Sequence, residues 1–264
     1  MRMDNADIAV IGGTGVYDIW MLENAHDVDI DTPYGKPSDV ITIGEFQGKK
    51  IAFLPRHGKK HSIPPHKLNF RANISALKQL GVKRIIAAAA VGSLREDVRP
   101  GDFLIPDQFI DRTHGRSATF FDEGKVAHIS VAEPFCPELS RTVFEAGKNK
   151  SYEMHDKGTV VVINGPRFST KAESKYYKNM GADIINMTIV PECILAREAE
   201  ICYACIATVT DYDTFSEKPV NVEDVIKVLH ENSRKTKDLV KDVLGNIPAE
   251  RGCKCGEALK NATV

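Results

Sequence analysis

Two carboxylates stand two residues apart in TVTDYDTF, residues 208–215, directly after an apolar run. In an extended segment, side chains at i and i+2 project to the same side, so Asp211 and Asp213 face a common partner. Neighbouring carboxylates repel, and one of them then keeps its proton to higher pH. A protonated carboxyl can donate to a leaving group near neutral pH, while an ionised one accepts from an amine. Together they suit the edge of a 6-aminopurine, with one acid at ring N7 and one or both near the exocyclic amine. A solvated turn and a Mg²⁺ or Ca²⁺ site are the alternatives, although hard cations gather more oxygens than one pair supplies.

Other stretches offer complementary chemistry. In IGGTG (11–15) the glycines let backbone N–H groups approach an anion, and Thr14 adds a hydroxyl. The motif lacks both the dinucleotide spacing and the Walker lysine, and a plain tight turn is the alternative. PRHGKKHSIPPHK (55–67) carries Arg56 and His57 at a strand end. A guanidinium and an imidazole can clamp an oxyanion such as phosphate, against the alternative of a solvated basic loop. His57, His61 and His66 are spread across two prolines and share no helical face, which argues against a metal there. In NGPRFST (164–170), Phe168 can stack on a planar ring and Ser169 can bond its edge; packing of Phe168 in the core is the alternative.

Alternating strands and helices must position these groups. DIAVIGGTG (7–15), the pair of strands in 40–58, VKRIIAAAAVGS (82–93), GTVVVINGPRF (158–168), ADIINMT (182–188) and CYACIATVT (202–210) read as strands. Segments 65–81, 171–181, 191–201 and 221–244 read as helices, the last with Asn221 as N-cap and Asp224 three residues on. The pattern predicts a single-domain three-layer α/β/α sandwich around a mixed sheet over residues 1–247, with a polar appendage over 248–264. Ligands of open α/β sheets bind outside the carboxyl ends of the strands. Gly12 to Gly15, Arg56 to Gly58, Gly92 and Ser93, Arg167 to Ser169, Asn186 to Thr188 and Thr210 to Asp213 all follow strands, so one shared pocket is expected.

The 264 residues are 42% hydrophobic and 27% charged, the profile of a soluble globular protein. A net charge of -1 argues against nucleic-acid binding. No run is long and apolar enough to span a bilayer, and no signal-peptide pattern opens the chain, so a cytoplasmic location is expected. The cysteines are Cys136, Cys193, Cys202, Cys205, Cys253 and Cys255. Reduced buried thiols are the expectation, with a disulfide the alternative in a hyperthermophile. The CKC pair falls short of the four ligands of a closed zinc site, and no metal is expected.

IGGTG, DTPYGKPSD, RHG…H, GSLRE…PGD, DQFIDRT, AEPFCP, GPRFS, GADIINMTIVPE and TDYD occur in that order. Together they resemble the trimeric branch of the purine nucleoside phosphorylase family, over about residues 7–240. The resemblance implies phosphorolysis of 5′-methylthioadenosine, with phosphate as co-substrate, no metal or organic cofactor, and a trimer or dimer of trimers. It implies phosphate contacts from Thr14, Arg56, His57, Thr188 and the backbone of Ala89 and Ala90. Met187 and His61 fall at the ribose. Phe168, Ser169, Gly92, Thr210, Asp211 and Asp213 fall at the purine, the two acids being catalytic. Val222, Val225, Ile226 and His128 fall at the methylthio end, with His61 and His128 near a subunit interface and one or both serving a neighbour. The family often has a hydroxyl residue where this chain has Ala89, which leaves only backbone for that contact. A 6-oxopurine nucleoside phosphorylase is the nearest rival; its base presents an acceptor at position 6, where an Asn donor is expected. A non-catalytic nucleoside-binding module is the rival from another class, and it would not need the phosphate clamp.

Overall fold

A computed structural model describes residues 4–13, 21–213 and 222–264. Thr14, Gly15 and Asn221 lie outside the described residues. Among the described residues, eleven strands form one mixed sheet. They are β1 (Ile8–Gly12), β2 (Glu23–Val28), β3 (Ile41–Phe46), β4 (Lys49–Pro55), β5 (Arg84–Ser93), β6 (Phe103–Leu104), β7 (Gln108–Arg112), β8 (Met154–His155), β9 (Thr159–Ile163), β10 (Ile184–Asn186) and β11 (Cys202–Asp211). The helices are α1 (Phe70–Gln79), α2 (Pro137–Asn149), α3 (Lys171–Asn179), α4 (Ile189–Glu198) and α5 (Val222–Asn246).

The sheet runs β2-β3-β4-β1-β5-β10-β9-β7, with β11 on β5 and β6, and β8 on β6. The centre, β4-β1-β5-β11, is parallel. Such strands are buried on both faces and read as continuous apolar runs. Alternate residues then feed opposite layers. Ala9 and Ile11 of β1 join Tyr203, Cys205 and Ala207 of β11 against Ile74 and Leu77 of α1 and Leu195 and Ala196 of α4. Ile8 and Val10 join Cys202, Ala204 and Ile206 against Leu139 and Val143 of α2 and Leu239, Val240 and Val243 of α5. The expected three-layer sandwich follows from this period of two.

Local signals set the helix ends. Asn69 caps α1 by accepting from the Ala72 N–H, and Thr170 with Glu173 makes a reciprocal capping box on α3. The far end of α5 is moored by Lys49, whose Nζ donates to the carbonyls of Leu244, Gly245 and Ile247 at 2.8, 2.9 and 2.9 Å.

Residues 248–264, expected as an appendage, are docked on the α2/α5 side. Arg84 Nη2 donates to the Glu250 carbonyl at 2.7 Å, and Cys255 is buried within that layer. Ala127 pairs with Thr263, and the His128 N–H donates to the Ala262 carbonyl at 2.8 Å. Polar composition hid this docking, because the tail contributes mainly backbone pairing and small side chains.

Candidate active site

A cavity of about 620 Å³ opens at the carboxyl ends of the central strands. That volume is typical of a small-molecule site. Most of the residues singled out in the sequence line it: Arg56, His57, His61, Ala89, Ala90, Gly92, Phe168, Ser169, Met187, Thr188, Thr210, Asp211, Asp213, Val222, Val225 and Ile226. His128 does not line the cavity of its own chain; its backbone is tied to the C-terminal tail instead.

The anion end is built at the ends of β4, β5 and β10. Arg56 is 1% exposed, too deep for a lone cation. Glu192, 0% exposed on α4, neutralises it through two parallel bonds, Nε to Oε2 at 2.7 Å and Nη2 to Oε1 at 2.8 Å. Nη1 donates to the Ala88 carbonyl at 2.9 Å, and Tyr203 donates its hydroxyl to Glu192 Oε1 at 2.8 Å. A guanidinium has five N–H donors, so one remains on each terminal nitrogen for a ligand. Sequence reading missed Glu192; α4 is buried on nearly all sides, and its mostly apolar sequence was the signal that could have found the burial.

His57 holds its ring by Nδ1 bonding to the Ile63 carbonyl at 2.8 Å and by stacking on His61 at 4.5 Å between centroids. Facing a carbonyl, Nδ1 carries the proton, which leaves Nε2 as an acceptor in the neutral ring. Burial, with help from the Arg56 charge, lowers the His57 pKa to about 4. A bound anion favours the imidazolium and turns Nε2 into a donor.

Thr188 precedes α4 and is held by Asn186; the backbone is extended at Val190 (φ -109°, ψ 131°), so the regular helix begins only after it. Asn186 Oδ1 accepts from the N–H groups of Thr188 and Ile189 at 2.7 and 2.8 Å, and its Nδ2 donates to the Ala90 carbonyl at 2.9 Å. This locks β10 and α4 to β5. Ala90 is exposed although β5 lies mid-sheet, because it faces the cavity. The Thr188 hydroxyl beside a guanidinium and an imidazole makes an anion cradle at this end of the cavity.

The acidic end depends on an irregularity. β11 follows β5 in register to Val209 opposite Val91, then slips so that Asp211 stands opposite Gly92. The extra residue, Thr210, breaks the strict alternation, and Thr208, Thr210, Asp211 and Asp213 all reach the cavity. Thr210 Oγ1 donates to Asp211 Oδ2 at 2.7 Å. A Cβ on Gly92 would stand 3.0 Å from Asp211 Oδ1 and from Ile185 Cγ2, so glycine is what allows this approach. Burial first, and the Asp213 charge to a lesser degree, raise the Asp211 pKa to about 6 against the pull of Thr210. The repulsion invoked from sequence is therefore real but secondary. Asp213 is 2% exposed.

Between the two ends, the Ser169 hydroxyl is buried with no hydrogen-bond partner among the described residues, a group prepared for a ligand. Gly165, at φ +61°, makes room for Met187: a Cβ there would meet its Sδ at 2.5 Å. Opposite, α5 presents Val222, Val225, Ile226 and Leu229 to the cavity. Val222 and Ile226 are 56% and 47% exposed, so this wall of the cavity is apolar and open.

An anion cradle, a buried acid and an apolar wall around one cavity of a mixed α/β sheet define a group-transfer site of the phosphorylase type. The family model described as "Phosphorylase superfamily" matches residues 7–245, and the chain belongs to that family. Within it, the chain is 57% identical over 258 residues to S-methyl-5′-thioadenosine phosphorylase of Nitrosopumilus maritimus, covering 98% of each chain. A methylthioadenosine phosphorylase from an antarctic soil metagenomic library superposes with a TM-score of 0.94 at 46% identity, over 99% of this chain and 93% of that one. The Schistosoma mansoni methylthioadenosine phosphorylase in complex with adenine superposes with a TM-score of 0.91 at 40% identity, over 97% and 96%.

Proposed function

We propose that this chain catalyses phosphorolysis of 5′-methylthioadenosine to adenine and 5-methylthioribose 1-phosphate. The observation that carries the reading is one cavity joining the Arg56–His57–Thr188 cradle, the Asp211–Asp213 pair and the apolar face of α5. Breaking the C1′–N9 bond develops positive charge on the ribose and negative charge on the base. Phosphate, held by Arg56, His57, Thr188 and the backbone at Ala89 and Ala90, supplies negative charge at one face and is itself the nucleophile. Thr14 completes the cradle in this reading. At the other end Asp211 delivers a proton to N7, and Asp213 accepts from the 6-amino group. A positioned acid is worth roughly 10²–10⁴-fold.

Phe168 stacks on the purine, and Ser169, Gly92 and Thr210 shape its edge. Met187 and His61 lie against the ribose, while Val222, Val225 and Ile226 receive the methylthio group. Phosphate is a co-substrate, and the reaction needs neither metal nor organic cofactor. The chain acts as a trimer or dimer of trimers, with His128 reaching a neighbour's methylthio end. A cytoplasmic location is part of the same reading; no helix among the described residues is long and apolar enough to cross a membrane.

Carboxylates at both purine-edge positions favour a 6-amino over a 6-oxo base, since a misplaced acceptor leaves a buried polar group unpaired. The test is a panel of methylthioadenosine, adenosine, methylthioinosine and inosine, each with and without phosphate. Phosphate-dependent release of adenine from methylthioadenosine is expected. Release without phosphate, or preference for the 6-oxo nucleosides, would overturn the assignment.

A further inference from the structure

Four cysteines from three separate stretches of the chain converge far from the cavity. The sulfurs of Cys136, Cys202, Cys253 and Cys255 all lie within 4.8 Å of one another, with Cys202 and Cys253 at 3.3 Å. All four are free thiols, and all but Cys253 are buried. The count that argued against zinc from CKC alone is met once Cys136 and Cys202 are added.

We propose that these four thiols form a structural Zn²⁺ site that fastens the C-terminal tail to the sheet. Zinc bound by four thiolates at about 2.3 Å in a tetrahedron places the sulfurs about 3.8 Å apart. The observed spacings bracket that value, so small side-chain movements complete the site. The surroundings suit thiolates rather than thiols. Cys136 is the N-cap of α2, and its sulfur accepts from the Leu139 N–H at 3.4 Å. Arg197 Nη1 donates to Cys255 Sγ at 3.6 Å, and its Nε is buried with no partner among the described residues. Four thiolates around Zn²⁺ carry a net charge of minus two, and these donors offset it, as outer-shell groups do in metal sites.

The ligands come from three parts of the fold: the start of α2, the start of β11, and the tail on both sides of Lys254. One ion would cross-link all three. Closed four-ligand zinc sites are structural, not catalytic. The position agrees, since Cys202 and Asp211 occupy opposite ends of β11, about 30 Å apart at strand rise.

Elemental analysis of chain purified under reducing conditions, without added metal or chelator, tests the proposal. About one zinc per chain is expected. Titration with a mercurial thiol reagent should release it to a colorimetric chelator, and alkylation after denaturation should modify all six cysteines. Cys253→Ser with Cys255→Ser should lose the zinc and lower Tm, with adenine release unchanged at 25 °C. A chain that is zinc-free and takes up none when zinc is supplied with reductant would overturn the proposal. So would disulfides among these four cysteines in chain isolated with its thiols trapped, or zinc retained by the double variant.

Discussion

At Asp211, the same burial that makes a useful acid also works against the folded state. Its pKa lies above the ordinary carboxylate value, so folding favours the protonated form. The stability associated with that proton is complete below about pH 4 and is lost as pH rises through about 6. Asp211→Asn should therefore raise Tm at pH 8 while leaving it little changed at pH 4. The same substitution should lower turnover of methylthioadenosine at least about a hundredfold. In the parent, kcat/KM should decline above about pH 6 as the acid ionises, and in the variant that limb should be absent. An unaltered rate, or an unaltered alkaline limb, would remove Asp211 from its role. Glu192 makes the complementary case. Glu192→Gln keeps the shape but leaves the Arg56 charge uncompensated in the interior. The expected loss is about 3–5 kcal/mol, read as a Tm lower by about 10 °C. Asp211 was legible because carboxylates after an apolar strand stand out. Glu192 was not, because its partner is 136 residues away and helix patterning carries no record of that contact.

The elements that hold these residues were legible where burial is two-sided. β1, β4, β5, β9 and β11 announce themselves as apolar runs, α1 by its apolar spacing and the Gly81 stop, and α3 by the Gly181 stop; α4 reads as helical over 191–201 but carries no side-chain cap. Exposed or very short pieces escaped: β2, which is polar along most of its length, and β6 and β8 of two residues each. α2 was readable in principle, since Leu139, Val143 and Ala146 fall at helical spacing after Pro137. The slip at Thr210 was not, because a bulge depends on the partner strand's register. At this scale α5 gives a test of substrate choice. Its exposed apolar face should favour a methylthio group over a hydroxyl. Ile226→Asp, on a surface position of the helix, should leave Tm close to the parent's. It should reduce kcat/KM for methylthioadenosine by about 10- to 200-fold, with adenosine much less affected. Equal losses on both nucleosides would remove Ile226 from the methylthio end.

For the molecule as a whole, the site as seen in one chain lacks any contribution from His128, whose backbone is committed to the tail. If His128 completes a neighbour's site, inactive chains can rescue one another. His128→Ala and Asp211→Asn chains, unfolded together and reassembled, should regain activity that neither shows alone. Within such a mixed trimer, some sites receive Asp211 from one chain and His128 from the other. Light scattering should give three or six times the chain mass, and a monomer with full activity would contradict the shared site. Sequence could not supply this layer of the argument except through resemblance, since no local pattern says which surface meets a second copy.

The mooring of α5 by Lys49 has a consequence in time. One end of the helix is pinned by three carbonyl contacts and buried through Leu239, Val240, Val243 and Leu244, whereas the other borders the cavity with Val222 and Ile226 exposed. Local opening free energies follow such differences in burial. Amide deuteration along α5 should thus run as a gradient, slow at the Lys49 end and fast beside the cavity. Occupancy of the cavity by nucleoside and phosphate should slow the fast half alone, so that one helix records, residue by residue, how long the ligand stays.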